Sequence, residues 1–396
     1  MDGSPWRLVR FGDVVRNTKV DVDPMTSGLE RFVAGEHMNT DDLRIRRWGT
    51  IGDGYLGPAF HRRFKKGQVL YGSRRTYLRK VAITSFDGIC ANTTFVLEPK
   101  GDDLLPELLP FVMQTTSFNE HSVKDSKGSV NPYVNWPDIA KYEFPLPPRD
   151  EQRRIAEILA ACDEAMSQAH QLVGLVAQFN DLVFLRLLKD YLNDDSVCLP
   201  LGDLWVSSPR SGYSATASSQ DTGHYVLTLT ALSRAGYQPN QVKSVERIPE
   251  ILRARLRVGD FLISRSNTIE LVGLVGIFDE DRDDVSFPDT MMLLEIDERK
   301  ILKRFLERYL LSAFARLYIQ KIAAGTSASM KKINRGNLST LPVPVPAMEA
   351  QFRILRIANA GRTAVKVAES RLEQTRTLKT CLLRSLLPYL DGSVDV

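Results

Sequence analysis

Two runs of cations and polar side chains follow strand-like segments in this chain, and both have the residue types that grip anions or read base edges. After GQVLYGS, at Gly67 to Ser73, come Arg74, Arg75, Tyr77, Arg79 and Lys80; after DFLIS come Arg265, Ser266, Asn267 and Thr268. Arginine forks match the two acceptors of guanine, and an asparagine amide matches adenine. Two polar loops add to this. KDSKGSVNPY, from Lys124, carries Lys127, Ser129 and Tyr133, and AGTSASMKKIN, from Ala324, carries Ser327, Ser329, Lys331 and Lys332. Glycine, serine and threonine leave backbone N–H groups and hydroxyls for phosphate oxygens, while lysine supplies charge. Each run alone is also what a solvated loop or hairpin contains. Their recurrence at corresponding places favours a polyanion contact. A further run, RIRRW from Arg44 to Trp48, is of the kind most often found on a solvated face.

The elements that must position these residues are written twice. PLPPRDEQRRI, at Pro145 to Ile155, has an echo in PVPVPAMEAQFRI, at Pro342 to Ile354, and Gln152 aligns with Gln351 at an offset of 199 residues. The same offset pairs Asn135 with Asn334, two residues that suit a structural role at the turn into the proline run. Further back, the segment around Gly67 parallels that around Gly259, and RFGDV at Arg10 parallels PLGDL at Pro200. A long-period duplication, interrupted by short indels, reads as two diverged domains. Apolar runs such as KVAITSF, NTTFVLEP, GLVGIFD and MMLLEID predict strands. PELLPFVMQTTSFNEHSV and LKRFLERYLLSAFARLYIQKI predict one helix in each copy.

After each proline run the period becomes helical. Ile155, Ile158, Cys162, Ala165, Ala169, Leu172, Val176, Phe179 and Val183 step by three and four, as does the shorter series Ile354, Ile357, Gly361, Ala364 and Ala368. This predicts two long helices that pack as a coiled coil. Basic residues predominate on the second and acids slightly on the first, which favours their pairing over self-association. Asp194 and Asp195 are expected to end the first helix, and Pro388 and Gly392 the second.

Composition sets the outer limits. A chain of 396 residues with 43% hydrophobic residues suits two or more domains, and a net charge of +4 confines any basic surface to local patches. Four scattered cysteines without a CxxC pair, and no secretory leader pattern, predict a cytoplasmic location. No apolar run approaches the ~20 residues expected of a membrane span. The five histidines show no ligand spacing, so no metal site is expected.

The ordered, twice-repeated arrangement resembles the specificity subunit of type I restriction-modification enzymes. The resemblance covers essentially the whole chain and rests on the proline-glutamine gates, the G-[DQ]-[VF]-L blocks and the glycine-serine loops before [KV]-[VI]-N. It departs at Ala350, which stands where the first gate has Glu151, and at SVNPYVN, where a basic run like MKKIN is more usual. It implies an α+β fold with a pseudo-two-fold internal repeat: target-recognition domains at 1–147 and 197–346, and spacer helices at 148–192 and 347–388 forming an antiparallel coiled coil. It also implies a DNA-binding, non-catalytic subunit in phage defence. The expected partners are double-stranded DNA, two modification subunits that bind S-adenosylmethionine and methylate DNA, and restriction-translocase subunits. No cofactor is expected in this subunit.

Three rivals stand beside this reading. A related modification system could use the same architecture. An adenine methyltransferase is suggested only by NPY at Asn131 to Tyr133, an incomplete signature without a glycine-rich turn for the methyl donor. A coiled-coil scaffold would account for the helices but not for two matched basic loops.

Overall fold

The computed structural model describes residues 6–129, 131–191, 197–323 and 330–390. The chain divides into two compact units, one containing residues up to Leu172 together with those from Ala368 onward, the other Val173–Val367. Both units draw on two long helices, α1 (Arg149–Tyr191) and α2 (Met348–Leu386).

In the first unit a four-stranded antiparallel sheet has the order Val15–Asn17, Thr94–Pro99, Val69–Gly72, Val81–Ile83. A second sheet pairs Arg31–Val33 in parallel with Gly88–Ala91. The other unit repeats this plan. Arg210–Ser211, Met291–Leu294, Phe261–Ser264 and Val275–Ile277 form its antiparallel sheet, and Tyr225–Leu227 pairs in parallel with Val285–Ser286. The duplication read from the sequence is therefore a duplication of sheet topology.

Each predicted helix before the polar loop is broken in two. Leu109–Val112 and Thr116–Lys124 replace the first, and Lys303–Leu310 and Ala313–Ile322 replace the second. The break has one cause in both copies. Thr115 and Ser312 adopt extended backbone and cap the second piece, their hydroxyls accepting from the N–H groups of Phe118 and Ala315.

The echo itself is a buried lock. Gln152 Oε1 accepts from Leu105 N–H at 2.9 Å, and its amide donates to the carbonyls of Asp103 (2.8 Å) and Pro147 (2.9 Å). Gln351 repeats every bond, accepting from Leu302 N–H at 2.9 Å and donating to Lys300 O (3.1 Å) and Pro346 O (2.9 Å). A buried glutamine can occupy this position because its polar atoms are satisfied. The strand before each lock, Glu143–Leu146 or Pro342–Val345, pairs antiparallel with the strand that opens its own copy, Arg7–Arg10 or Val197–Pro200. Just after those opening strands, Gly12 and Gly202 are required for close packing: a Cβ on either would stand 2.7 Å from Ala140 Cβ or 2.8 Å from Ser339 Cβ. The turn into the proline run is capped as expected, since Asn334 Oδ1 accepts from Asn337 N–H at 2.7 Å and Asp138 Oδ2 accepts from Asn135 N–H at 3.3 Å.

Within each unit the helix segments run antiparallel. In the first, Ile155 and Leu159 share a core with Leu383 and Leu387, and Asp163 meets Lys379. In the second, Phe184 and Leu188 share a core with Ile354 and Ala358, while Gly361 packs so tightly on Asn180 that a Cβ would fall 2.0 Å from its Oδ1. The seam of α1 differs from the expected one. Ile155 and Cys162 are buried and Ala169 and Val176 partly so, but Ile158, Ala165, Leu172 and Phe179 are exposed. Each buried companion lies four residues on, not three: Leu159, Met166, Val173 and Asn180 face inward, fully or partly. Both faces of α1 are apolar enough to serve, so sequence spacing alone did not choose between them.

The apolar second face also corrects the expectation about long apolar runs. Arg149–Lys189 contains an 18-residue window with mean hydropathy 1.3, of which 17% is buried, so by length and composition it could cross a membrane. The expected ends at Asp194, Asp195 and Gly392 lie outside the described residues.

Candidate nucleic-acid interface

In the first unit the strand Val69–Gly72 runs on through Ser73 to Arg75, where it meets the far side of the polar loop. Val134 N–H donates to Ser73 O at 2.9 Å, Arg75 N–H to Pro132 O at 2.6 Å, and Lys127 and Tyr133 exchange both backbone bonds at 2.8 and 2.9 Å. Tyr133 thus sits between the other two segments, and the Arg74 guanidinium lies 6.0 Å from its ring centroid. Arg74, Arg75, Lys127, Ser129 and Tyr133 are all exposed. Arg75 has φ of 50°, in the left-handed region, which turns the chain into the short 3-10 turn Thr76–Leu78.

The other unit builds the same junction. Ile333 N–H donates to Arg265 O at 3.0 Å, the counterpart of the Val134 bond, and Ser266–Asn267 pairs antiparallel with Lys331–Lys332. Residues that the sequence placed in separate runs, 59 positions apart for Arg74 and Tyr133 and 66 for Ser266 and Lys332, are neighbours in both copies. The paired strands explain the juxtaposition: each run continues a central strand, and the loop returns alongside it.

The side chains are not equally available. Arg79 is held by Asp41 (Nε to Oδ1, 2.7 Å) and donates to Gln114 O at 2.6 Å, so it braces the turn. Lys80 donates to Gly35 O at 2.5 Å. Tyr77 is exposed at the turn. Asn267 is 8% exposed, with its Oδ1 accepting from Thr268 N–H at 2.9 Å; Ser266 is also buried, and Thr268 is half-buried. Arg265 reaches Ser211 Oγ at 3.4 Å, and Lys332 is exposed. Ser327 and Ser329 lie outside the described residues. The Asp138 carboxyl rests below its ordinary range: burial pushes it up, but the ammonium of Lys127 at 3.2 Å and the Asn135 N–H outweigh that.

The family match falls on the first unit, where Arg74, Arg75, Lys127 and Tyr133 form an open cradle. Residues 29–172 match the family described as the type I restriction modification DNA specificity domain. The matched segment, 144 of the 396 residues, is similar to a type I restriction-modification DNA specificity domain. A curated relative, the type I restriction enzyme EcoDI specificity subunit of Escherichia coli, is 25% identical over 191 residues, which is 47% of this chain and 42% of the relative. The match therefore spans less than half the length of that relative. Two solved structures align along nearly the whole chain. They are the HsdS subunit from Thermoanaerobacter tengcongensis (18% identity, 98% and 97% of the two chains, TM-score 0.41) and the type I S subunit from M. genitalium (13%, 98% and 97%, TM-score 0.46). The matched specificity domain holds Arg74, Arg75, Lys127 and Tyr133, together with the RIRRW run. Of that run, Arg44 ties the domain to α1 through Asp163 and Glu164, and Arg46 pairs with Asp42.

Proposed function

We propose that this chain is the sequence-reading subunit of a type I restriction-modification complex. Each unit reads one half of a bipartite duplex site, and the chain itself breaks and makes no covalent bond. The observation that carries this reading is the junction of strand and returning polar segment, which among the described residues shares one backbone bond (Val134 N–H to Ser73 O, Ile333 N–H to Arg265 O) and one strand pairing (Arg74 with Tyr133, Ser266 with Lys332) in the two units but carries different side chains. One scaffold presenting Arg74, Arg75 and Tyr133 in one copy, and Arg265 beside the phosphate-contacting Lys331 and Lys332 in the other, has the means to read two different sequences. Methyl transfer, with S-adenosylmethionine, belongs to two modification subunits, and cleavage to restriction-translocase subunits, all acting in the cytoplasm. The exposed face of α1 supports docking of a modification subunit. Leu175, Phe179 and Leu182 follow one another at helical spacing and are 63%, 68% and 65% exposed, a stripe that a partner helix can cover.

The purified chain tests this directly. It is expected to bind duplex DNA with strong salt dependence, and to transfer no label from S-adenosylmethionine to that DNA. Methyl transfer by the chain free of any methyltransferase, or absence of duplex binding, contradicts the proposal.

A further inference from the structure

One pocket of the first unit is not used by the cradle. Glu36, His37, Arg46, Arg47 and Trp48 line an open cavity of about 570 Å³. Two segments line it, 36–37 and 46–48, and a third, at Lys80, braces its edge. Arg47 donates to Glu36 O at 3.1 Å, and Lys80, arriving from beyond the 3-10 turn, donates to the adjoining Gly35 O at 2.5 Å. Trp48 is 43% exposed; the Arg31 guanidinium lies 4.7 Å from its ring centroid, and Phe86 packs edge-on against it. His37 Nδ1 accepts from Ala34 N–H at 3.0 Å, which leaves Nε2–H as the donor of a neutral ring.

The groups that converge here are mostly donors. Arg46, Arg47 and Lys80 outnumber Glu36 and Asp42; the Glu36 carboxylate stands 3.9 Å from His37 Nε2 but is 82% exposed, so solvent screens it. Burial is the main cause that holds the Lys80 ammonium below its ordinary pKa, and repulsion from Arg75 adds a smaller contribution from a positive field. Such a field, in a cavity open to solvent and floored by an aromatic ring, fits an anion that passes along the surface as part of a polymer. We propose that this pocket is a second DNA contact of the first unit, in which Arg47 and the His37 Nε2–H hold a backbone phosphate beside Trp48. The proposal rests on the DNA-reading function above. It also belongs to one half-site only, because the corresponding turn of the other unit, Leu229–Ala231, and its neighbour Asn240–Ser244 contain no arginine, histidine or tryptophan.

The test is the affinity of the full-length chain for a random-sequence duplex of about 30 base pairs between roughly 50 and 200 mM salt. Arg47→Ala is expected to weaken binding about tenfold at the low-salt end and to reduce the slope of log affinity against log salt by about 0.9. Arg47→Lys, which keeps the charge, is expected to restore the slope. If the wild type binds and Arg47→Ala leaves affinity and slope unchanged, the pocket is not a contact while the DNA-reading function stands. A loss of affinity with an unchanged slope, or one that Arg47→Lys does not restore, equally overturns the phosphate assignment. If the wild type does not bind the duplex at all, both readings fall together.

Discussion

Replacing Lys379 with methionine is expected to destabilise the first unit by about 3–5 kcal/mol, because it strands a buried charge. Lys379 is 3% exposed, and its ammonium lies 2.8 Å from Asp163 Oδ1 and 5.7 Å from the centre of the Phe111 ring. Without it, the cation left beside Asp163 among the described residues is Arg44, whose Nε is 3.5 Å away. Combining Lys379→Met with Asp163→Leu is expected to recover most of the loss, since a well-packed apolar pair of similar volume is about as stable as a buried ion pair. Urea denaturation of the full chain, comparing the two variants with the wild type, measures this. A cost under about 1 kcal/mol for the single change contradicts the role given to the pair. The second unit does not repeat the pair: it sets Asn180 against Gly361, and Arg362 turns to buried Glu307 at 3.5 Å.

The second large effect is on binding. Changing Lys331 and Lys332 together to alanine is expected to weaken duplex affinity by about ten- to a hundredfold near 0.1 M salt, and to lower the salt slope by about 1.8. The reasoning is that two phosphate contacts release two sets of counterions whatever the bases are, so the loss is uniform across sequences. Their backbone placement beside Ser266 and Asn267 keeps both lysines at the cradle's rim. Titration of random and cognate duplexes across the salt series is the measurement. A loss confined to one sequence would make these residues base readers instead.

Much of this was legible in the sequence, because duplication amplifies weak signals. One glutamine after a proline run means little; two at a constant offset mark a shared constraint, and the buried bonds of Gln152 and Gln351 are that constraint. The strands were readable for the same reason. What the sequence did not give has physical causes. The helix breaks at Thr115 and Ser312 depend on a hydroxyl cap inside an otherwise helical pattern. The seam of α1 was ambiguous because Ile158, Leu172 and Phe179 are as apolar as the residues that are buried. Arg79 looked like a base reader by type, but Asp41, 38 positions earlier in the chain, claims it. The cavity around Trp48 was hidden because its walls come together only in the folded sheet.

The most direct test of the central claim is the methylated motif made by the assembled complex, read genome-wide for the wild type and for unit-specific variants. A bipartite motif is expected, absent when the gene for this chain is deleted. Arg74→Ala with Arg75→Ala is expected to relax base identity in one half of that motif, and Arg265→Ala in the other half, with each leaving its opposite half unchanged. Variants of both units that alter the same half, or a motif without two parts, would contradict the assignment of one half-site to each unit.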